Sequence, residues 1–120
     1  MSHLEPLEPY LNELGAPHGA WERLERYAAL LVAENTRMNL VASSTLSELW
    51  RRHFWDSAQL FPLLPSETKV LVDLGSGAGF PGLVLAVLGV PEVHLVESIG
   101  KKARFLQKVV DELGLGATVH

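Results

Sequence analysis

Cysteine is absent from this 120-residue chain. That excludes a disulfide framework, a thiolate zinc site and a cysteine nucleophile, and makes an intracellular protein the plain expectation. No apolar run approaches the roughly 20 residues of a membrane span, and the opening MSHLEPLEPY is acidic where a secretory signal would be basic and then apolar. The chain is therefore expected in the cytoplasm, away from membranes. The five histidines, His3, His18, His53, His94 and His120, share no metal-site spacing, so no metal is expected. Internal repeats and low-complexity tracts are lacking as well. What remains, 48% apolar and 20% charged residues, is the composition of one globular domain.

Charge of one sign is not in global excess, since 10 Lys and Arg face 14 Asp and Glu, but its distribution is uneven. Residues 1–34 carry six Glu and two Arg, whereas KKARFLQK at 101–108 carries four cations and no anion. Arg51, Arg52 and His53 form a second basic knot. An anionic partner can dock locally on either cluster; the plainer alternative is that both are solvated helix faces.

Organisation changes once, between Pro62 and Ser66. Before it the periodicity is helical. Leu4, Leu7, Leu11 and Leu14 recur at spacings of three and four up to Gly15, while Pro6 and Pro9 restrict a helix to a start at or after Glu8. Trp21, Leu24, Ala28, Leu31 and Val32 share one face of a helix expected from about His18 to Glu34. The stretch NTRMNLVASS reads as loop, and a third helix is expected from a hydroxyl cap at Ser44 or Thr45 towards Leu60. Trp21 and Trp50 lie on apolar faces and are expected in the core; Trp55 fits either core or base stacking.

After Pro65 the pattern becomes strand, glycine-rich turn, helix, strand, helix, strand. Lys69 to Asp73 is a short β-branched run, expected to be a parallel strand covered on both faces. Pro81 to Leu88 reads as a helix, Val93 to Glu97 as the second strand, Lys101 to Leu113 as a helix with Phe105, Leu106, Val109, Val110 and Leu113 inward, and Ala117 to His120 as the start of a third strand. The fold class is α/β, a Rossmann-like parallel sheet represented by its first two to three strands (66–120) and preceded by a helical region (1–65).

The chemistry concentrates in VLVDLGSGAGFPG at 70–82. Gly75, Gly77 and Gly79 let the backbone turn without a Cβ and let a nucleotide-like ligand press against the main chain. Gly77, Gly79 and Gly82 also satisfy the dinucleotide spacing GxGxxG, so a nicotinamide-dependent oxidoreductase, NAD(P)-binding, stands as one alternative and a non-catalytic interaction module as another. Asp73 opposes the first of these. A carboxylate ahead of the loop repels a pyrophosphate but suits S-adenosylmethionine, which has no phosphate and carries an ammonium and a sulfonium. Glu97, 24 positions later, can accept two ribose hydroxyls in either case.

The runs DLGSGAGFPG (73–82) and LVESIGKKARFL (95–106), with RMNLVAS (37–43) and RRHFWDS (51–57) upstream, resemble the bacterial 16S ribosomal RNA guanine-N7 methyltransferases, the RsmG or GidB family, also called glucose-inhibited division protein B. The likeness covers the chain from about residue 20. It implies a class I Rossmann-like sheet and S-adenosylmethionine as cofactor, with 16S ribosomal RNA of the small ribosomal subunit as partner. It implies Gly75 and Phe80 along the cofactor pocket, Gly77 and Gly79 shaping the loop, Glu97, Ser98 and Ile99 flanking ribose and adenine, and Asp73 facing the methionine end. Lys101, Lys102 and Arg104, with Lys108, become the candidate RNA contacts. No catalytic residue is assigned, because guanine N7 is a neutral lone pair that attacks a sulfonium methyl without first losing a proton. His53 and Asp56 resemble an acid–base pair but read more readily as a structural fixture between helix and sheet. Relatives continue past a third strand, in the order 3-2-1-4-5, so the resemblance further implies a C-terminally truncated form with the first strand at an open edge, binding cofactor weakly and not turning over alone.

Overall fold

The structure, a computed structural model, describes residues 7–120; the expectations placed on His3, Leu4 and Pro6 lie outside them. Helix α1 (Glu8–Leu14) begins where the prolines allow and stops at Gly15. Helix α2 (Ala20–Asn35) buries Leu24, Tyr27, Ala28 and Leu31 along one stripe, each large apolar side chain removed from water contributing about 1.5–3 kcal/mol. Asn35 closes it. Its buried Oδ1 accepts the N–H groups of Leu40 at 2.8 Å and Val41 at 3.0 Å, which organises the expected loop.

The expected third helix is not regular. A 3₁₀ segment (Ser43–Glu48) leads into a widened π-type turn (Trp50–Trp55), then the short α3 (Asp56–Ala58) and a further 3₁₀ turn (Phe61–Leu63). No side chain caps its start; the Thr45 hydroxyl instead donates to the Ala42 carbonyl at 2.7 Å. Packing overrides local periodicity here. Trp55 lies edge-on to Tyr10 and tilted against Trp50, while Phe54 meets Tyr27 and Phe80, and a strict 3.6-residue repeat does not serve all these contacts. All three tryptophans pack against the core.

Strand β1 (Val70–Leu74), α4 (Gly82–Leu88), β2 (Glu92–Val96), α5 (Gly100–Leu113) and β3 (Ala117–Val119) follow in the expected order. The sheet is parallel and ordered β1-β2-β3, with Val70 opposite Glu92 through Leu74 opposite Val96. Val93 and Leu95 are fully buried, and α2 adds a further layer by packing against α4 and α5. One apolar cluster runs from Leu7 to Leu113 through both halves of the sequence. The expectation that the first strand is covered on both faces is corrected: Val70, Val72 and Leu74 are 52%, 57% and 77% exposed. Two successive crossovers step along the sheet in one direction, which with the usual right-handed connection sets α4 and α5 on the same side, and the exposed side chains of β1 mark the uncovered face.

Candidate cofactor site at the end of the first two strands

Strands β1 and β2 end side by side, and the loop 75–81 is bound to both. The N–H groups of Gly75 and Ser76 donate to the carbonyl of Val96 at 2.8 and 3.1 Å. Gly75 and Gly77 have φ of 71° and 55°, left-handed conformations that side chains adopt only at a cost. A Cβ at Gly75 meets nothing within 4 Å. The backbone therefore demands glycine while the space above it stays open to a ligand.

Glu97 spans the crevice. Its Oε1 accepts the Gly77 N–H at 2.7 Å and its Oε2 the Ile99 N–H at 3.0 Å. Those two bonds, with the charge of Lys102, hold its carboxyl below the usual glutamate range. Each oxygen keeps a second lone pair, so the pair of hydroxyl acceptors expected from the sequence remains available. Ser98 and Ile99 are exposed beside it.

Asp73 is half-buried, and its Oδ2 accepts the N–H of Gly82 at 3.1 Å, at the first residue of α4. Burial raises its pKa, against the lowering effects of the Gly82 N–H and Ser76 hydroxyl. The carboxylate thus occupies the helix start where a dinucleotide-binding loop receives its pyrophosphate. Two further loop donors are engaged as well: Gly77 on Glu97, and Gly79 on the Ser76 carbonyl at 2.8 Å. A Cβ on Gly82 would come within 2.5 Å of Leu95 Cδ2 and 2.8 Å of Asp73 Oδ2, so this glycine keeps α4 close to the sheet.

Phe80 is turned towards the helical region. It stacks between Tyr27 (ring centroids 5.4 Å apart) and His53 (5.0 Å) and meets Phe54 edge-on. His53 does not bond Asp56; its Nε2 lies 3.0 Å from the Thr45 hydroxyl. Burial lowers the His53 pKa, opposed by Asp56 and aided by Arg52. A cleft of about 350 Å³ opens here, walled by Arg52, His53, Asp56, Gln59, Phe80 and Pro81. The basic knot is partly neutralised, because Glu48 takes Arg51 at 2.6 Å and Arg52 at 3.3 Å.

The structure thus gathers Asp73, Gly75, Gly77, Glu97, Ser98 and Ile99 at one edge and packs Phe80, at the end of the same loop, in an aromatic stack with Tyr27 and His53. Nothing in the spacing of its neighbours marks Tyr27 as part of the site, yet its hydroxyl donates to the Ala78 carbonyl at 2.6 Å. The available signal was a hydroxyl-bearing ring on an apolar helix face, which when buried needs a partner. Among the described residues no group of three or more His, Cys, Asp or Glu can hold a metal ion, and no helix is long and apolar enough to cross a membrane.

A parallel sheet whose first strand leads through a glycine loop with its own internal carboxylate, and whose second strand ends in an acid bonded to that loop, is a Rossmann-like fold of the methyltransferase type. The family described as GidB, rRNA small subunit methyltransferase G, matches residues 20–120, and the chain belongs to it. Proteins named ribosomal RNA small subunit methyltransferase G are similar to it. That of Rhodospirillum centenum is 63% identical over 106 residues, covering 88% of this chain and 49% of the relative. That of Rhodospirillum rubrum is 67% identical over 85 residues (71% and 42%), and that of Caulobacter sp. strain K31 is 50% identical over 126 aligned positions (100% and 57%). The chain spans about half the length of the curated relatives it matches.

Proposed function

We propose that the chain carries the S-adenosylmethionine-binding part of an enzyme that methylates N7 of a guanine in 16S ribosomal RNA, in the cytoplasm. The observation that carries this reading is the Asp73 carboxylate seated at the start of α4. With that position filled by an anion and the N–H groups of Gly75, Ser76, Gly77 and Gly79 engaged internally, the helix start repels a diphosphate, which disfavours the nicotinamide alternative.

The residues present fit this cofactor. Open space over Gly75 admits it against the main chain. The free lone pairs of Glu97 suit a pair of vicinal hydroxyls, exposed Ile99 offers an apolar edge to a flat ring, and half-buried Asp73 sets a negative field suited to a cationic methionine end. When bound, the cofactor supplies an electrophilic methyl group on a sulfonium. The protein's share is to hold and align, since N7 needs no deprotonation, and alignment alone can contribute as much as about 7–11 kcal/mol. Within the helical region 1–65, the described residues from Leu7 onward act as the brace of this site, through Tyr27 and the stack on Phe80, and residues 66–120 act as its frame. Lys101, Lys102 and Arg104 belong on the RNA side.

Isothermal titration tests this reading. S-adenosylhomocysteine should give binding heat and NAD none, and Glu97→Gln, which replaces an acceptor by an N–H₂, should weaken the former about tenfold or more. Heat with NAD alone reverses the assignment. Labelled methyl transfer to 16S ribosomal RNA by a full-length relative, located in a nuclease digest, tests the substrate.

A further inference from the structure

A cleft of about 380 Å³ separates the end of α2 from the outer face of α5. Lys101, Arg104 and Lys108 form one wall, their spacing of three and four placing all three on one helix face. Arg37, in the turn after α2, forms the other; Met38 and Phe105 also line the cleft, and Glu34 is its single carboxylate. Four cations thus meet one anion across two elements that are more than 60 positions apart in sequence.

Three observations distinguish this groove from an ordinary solvated face. Arg26, Arg51 and Arg52 are each paired with a carboxylate, whereas among the described residues Arg23, Arg37, Lys69, Lys101, Lys102, Arg104 and Lys108 make no ion pair, and four of these seven meet in the groove. Lys101 stands in the first turn of α5 with no acid beside it, a placement the helix dipole disfavours and a bound anion relieves. The groove also begins close along the chain to the candidate cofactor residues, because Glu97 to Ile99 lead through Gly100 directly into Lys101. From Lys101 to Lys108 the helix rises about 10 Å, roughly the length of three stacked nucleotides.

We propose that this groove binds the sugar-phosphate backbone of the RNA, with Arg37, from the helical region, joining Lys101, Arg104 and Lys108 as a phosphate contact. The assignment rests on RNA being the substrate. Lys102 is set apart from it: it does not line the groove, and its charge acts on Glu97.

The test is fluorescence anisotropy of the 120-residue chain with a labelled single-stranded RNA of about a dozen nucleotides, titrated across salt concentrations. Arg37→Glu and Lys108→Glu should each weaken binding at low salt at least about fivefold, and each should reduce the slope of log K against log salt by about 0.7. Arg23→Glu, about three helical turns from Glu34 on α2, should leave the slope unchanged. Arg37→Gln and Lys108→Gln, with half the change in charge, should show the same order of effects, and circular dichroism checks folding of each. Unaltered affinity and slope in the groove variants, or a loss no larger than that of Arg23→Glu, overturns the proposal. Binding of polyglutamate as tight as that of the RNA also overturns it, in favour of an acidic protein segment. Titration with S-adenosylhomocysteine on the same samples separates the two readings: absent heat with intact slopes removes the cofactor assignment and leaves the groove standing.

Discussion

The hydroxyl of Tyr27, midway along α2, donates a 2.6 Å hydrogen bond to the carbonyl of Ala78, in the glycine loop 51 positions away. Both residues are buried, so neither group has water as an alternative. Burial, with the nearby Asp73 charge, raises the phenol pKa well above its ordinary value and keeps the hydroxyl a donor. Together with the stack on Phe80, this bond makes the helical region a clamp on the glycine loop.

Tyr27→Phe keeps the ring and removes only that donor. The buried Ala78 carbonyl then lacks its partner, which costs about 1–3 kcal/mol. Thermal unfolding should shift down by roughly 2–8 °C per kcal/mol, and S-adenosylhomocysteine should bind more weakly because its loop is less held. Unchanged melting would show that the clamp contributes nothing.

Gly82→Ala inserts a methyl between Leu95 and the Asp73 carboxylate. Overpacking of this kind costs about 1–3 kcal/mol, so urea unfolding should show a lower midpoint at an unchanged slope. Gly75→Ala differs in kind. Its Cβ meets open space, so only the left-handed backbone opposes it, by about 1–2 kcal/mol. Any ligand lying over Gly75 would lose more affinity than stability alone explains.

Asp73→Asn separates folding from binding. The raised pKa means that the ionised form is disfavoured in the folded state; above that pKa the charge detracts from stability. The carboxamide oxygen can still accept the Gly82 N–H, so melting at neutral pH should be equal or higher, and the gain should vanish as pH falls below the aspartate range. Cofactor affinity should move the other way, by about tenfold or more, since a charge-assisted contact is removed. A parallel loss of both would place Asp73 in folding alone.

His53 has the opposite sign. The Thr45 hydroxyl gives its proton to Ala42, so it accepts from His53, and the ring carries its proton on Nε2. With its pKa lowered by burial, the neutral ring is favoured in the fold; its contribution is full above the ordinary imidazole range and is lost as pH falls through the lowered value. Melting should therefore decline between about pH 7 and 5, and His53→Gln should flatten that decline. Equal pH profiles for the two proteins would remove His53 from the account.

Much of the frame was legible because local signals and global fold agree. The prolines and Gly15 bound α1, the apolar stripe of α2 is long, and α5 ends against Gly114 with its five inward residues all buried. The segment from Ser43 to Leu63 departs from the expected regular helix because its aromatics answer to partners distant in sequence. Spacing in sequence sets His53 beside Asp56, three positions on, but its contacts are Thr45 and Phe80.

Order of elements, the glycine loop and the acids at two strand ends follow from residue type and spacing alone, since strand, turn and helix each have a short-range signature. Three features were decided only by the folded chain: Asp73 closing the start of α4, Tyr27 reaching Ala78, and Arg37 facing Lys108 across a groove. Each is a relation through space between groups whose separation along the chain carries no information. Hydrogen bonds and fields act over a few ångströms, and it is packing that sets those distances.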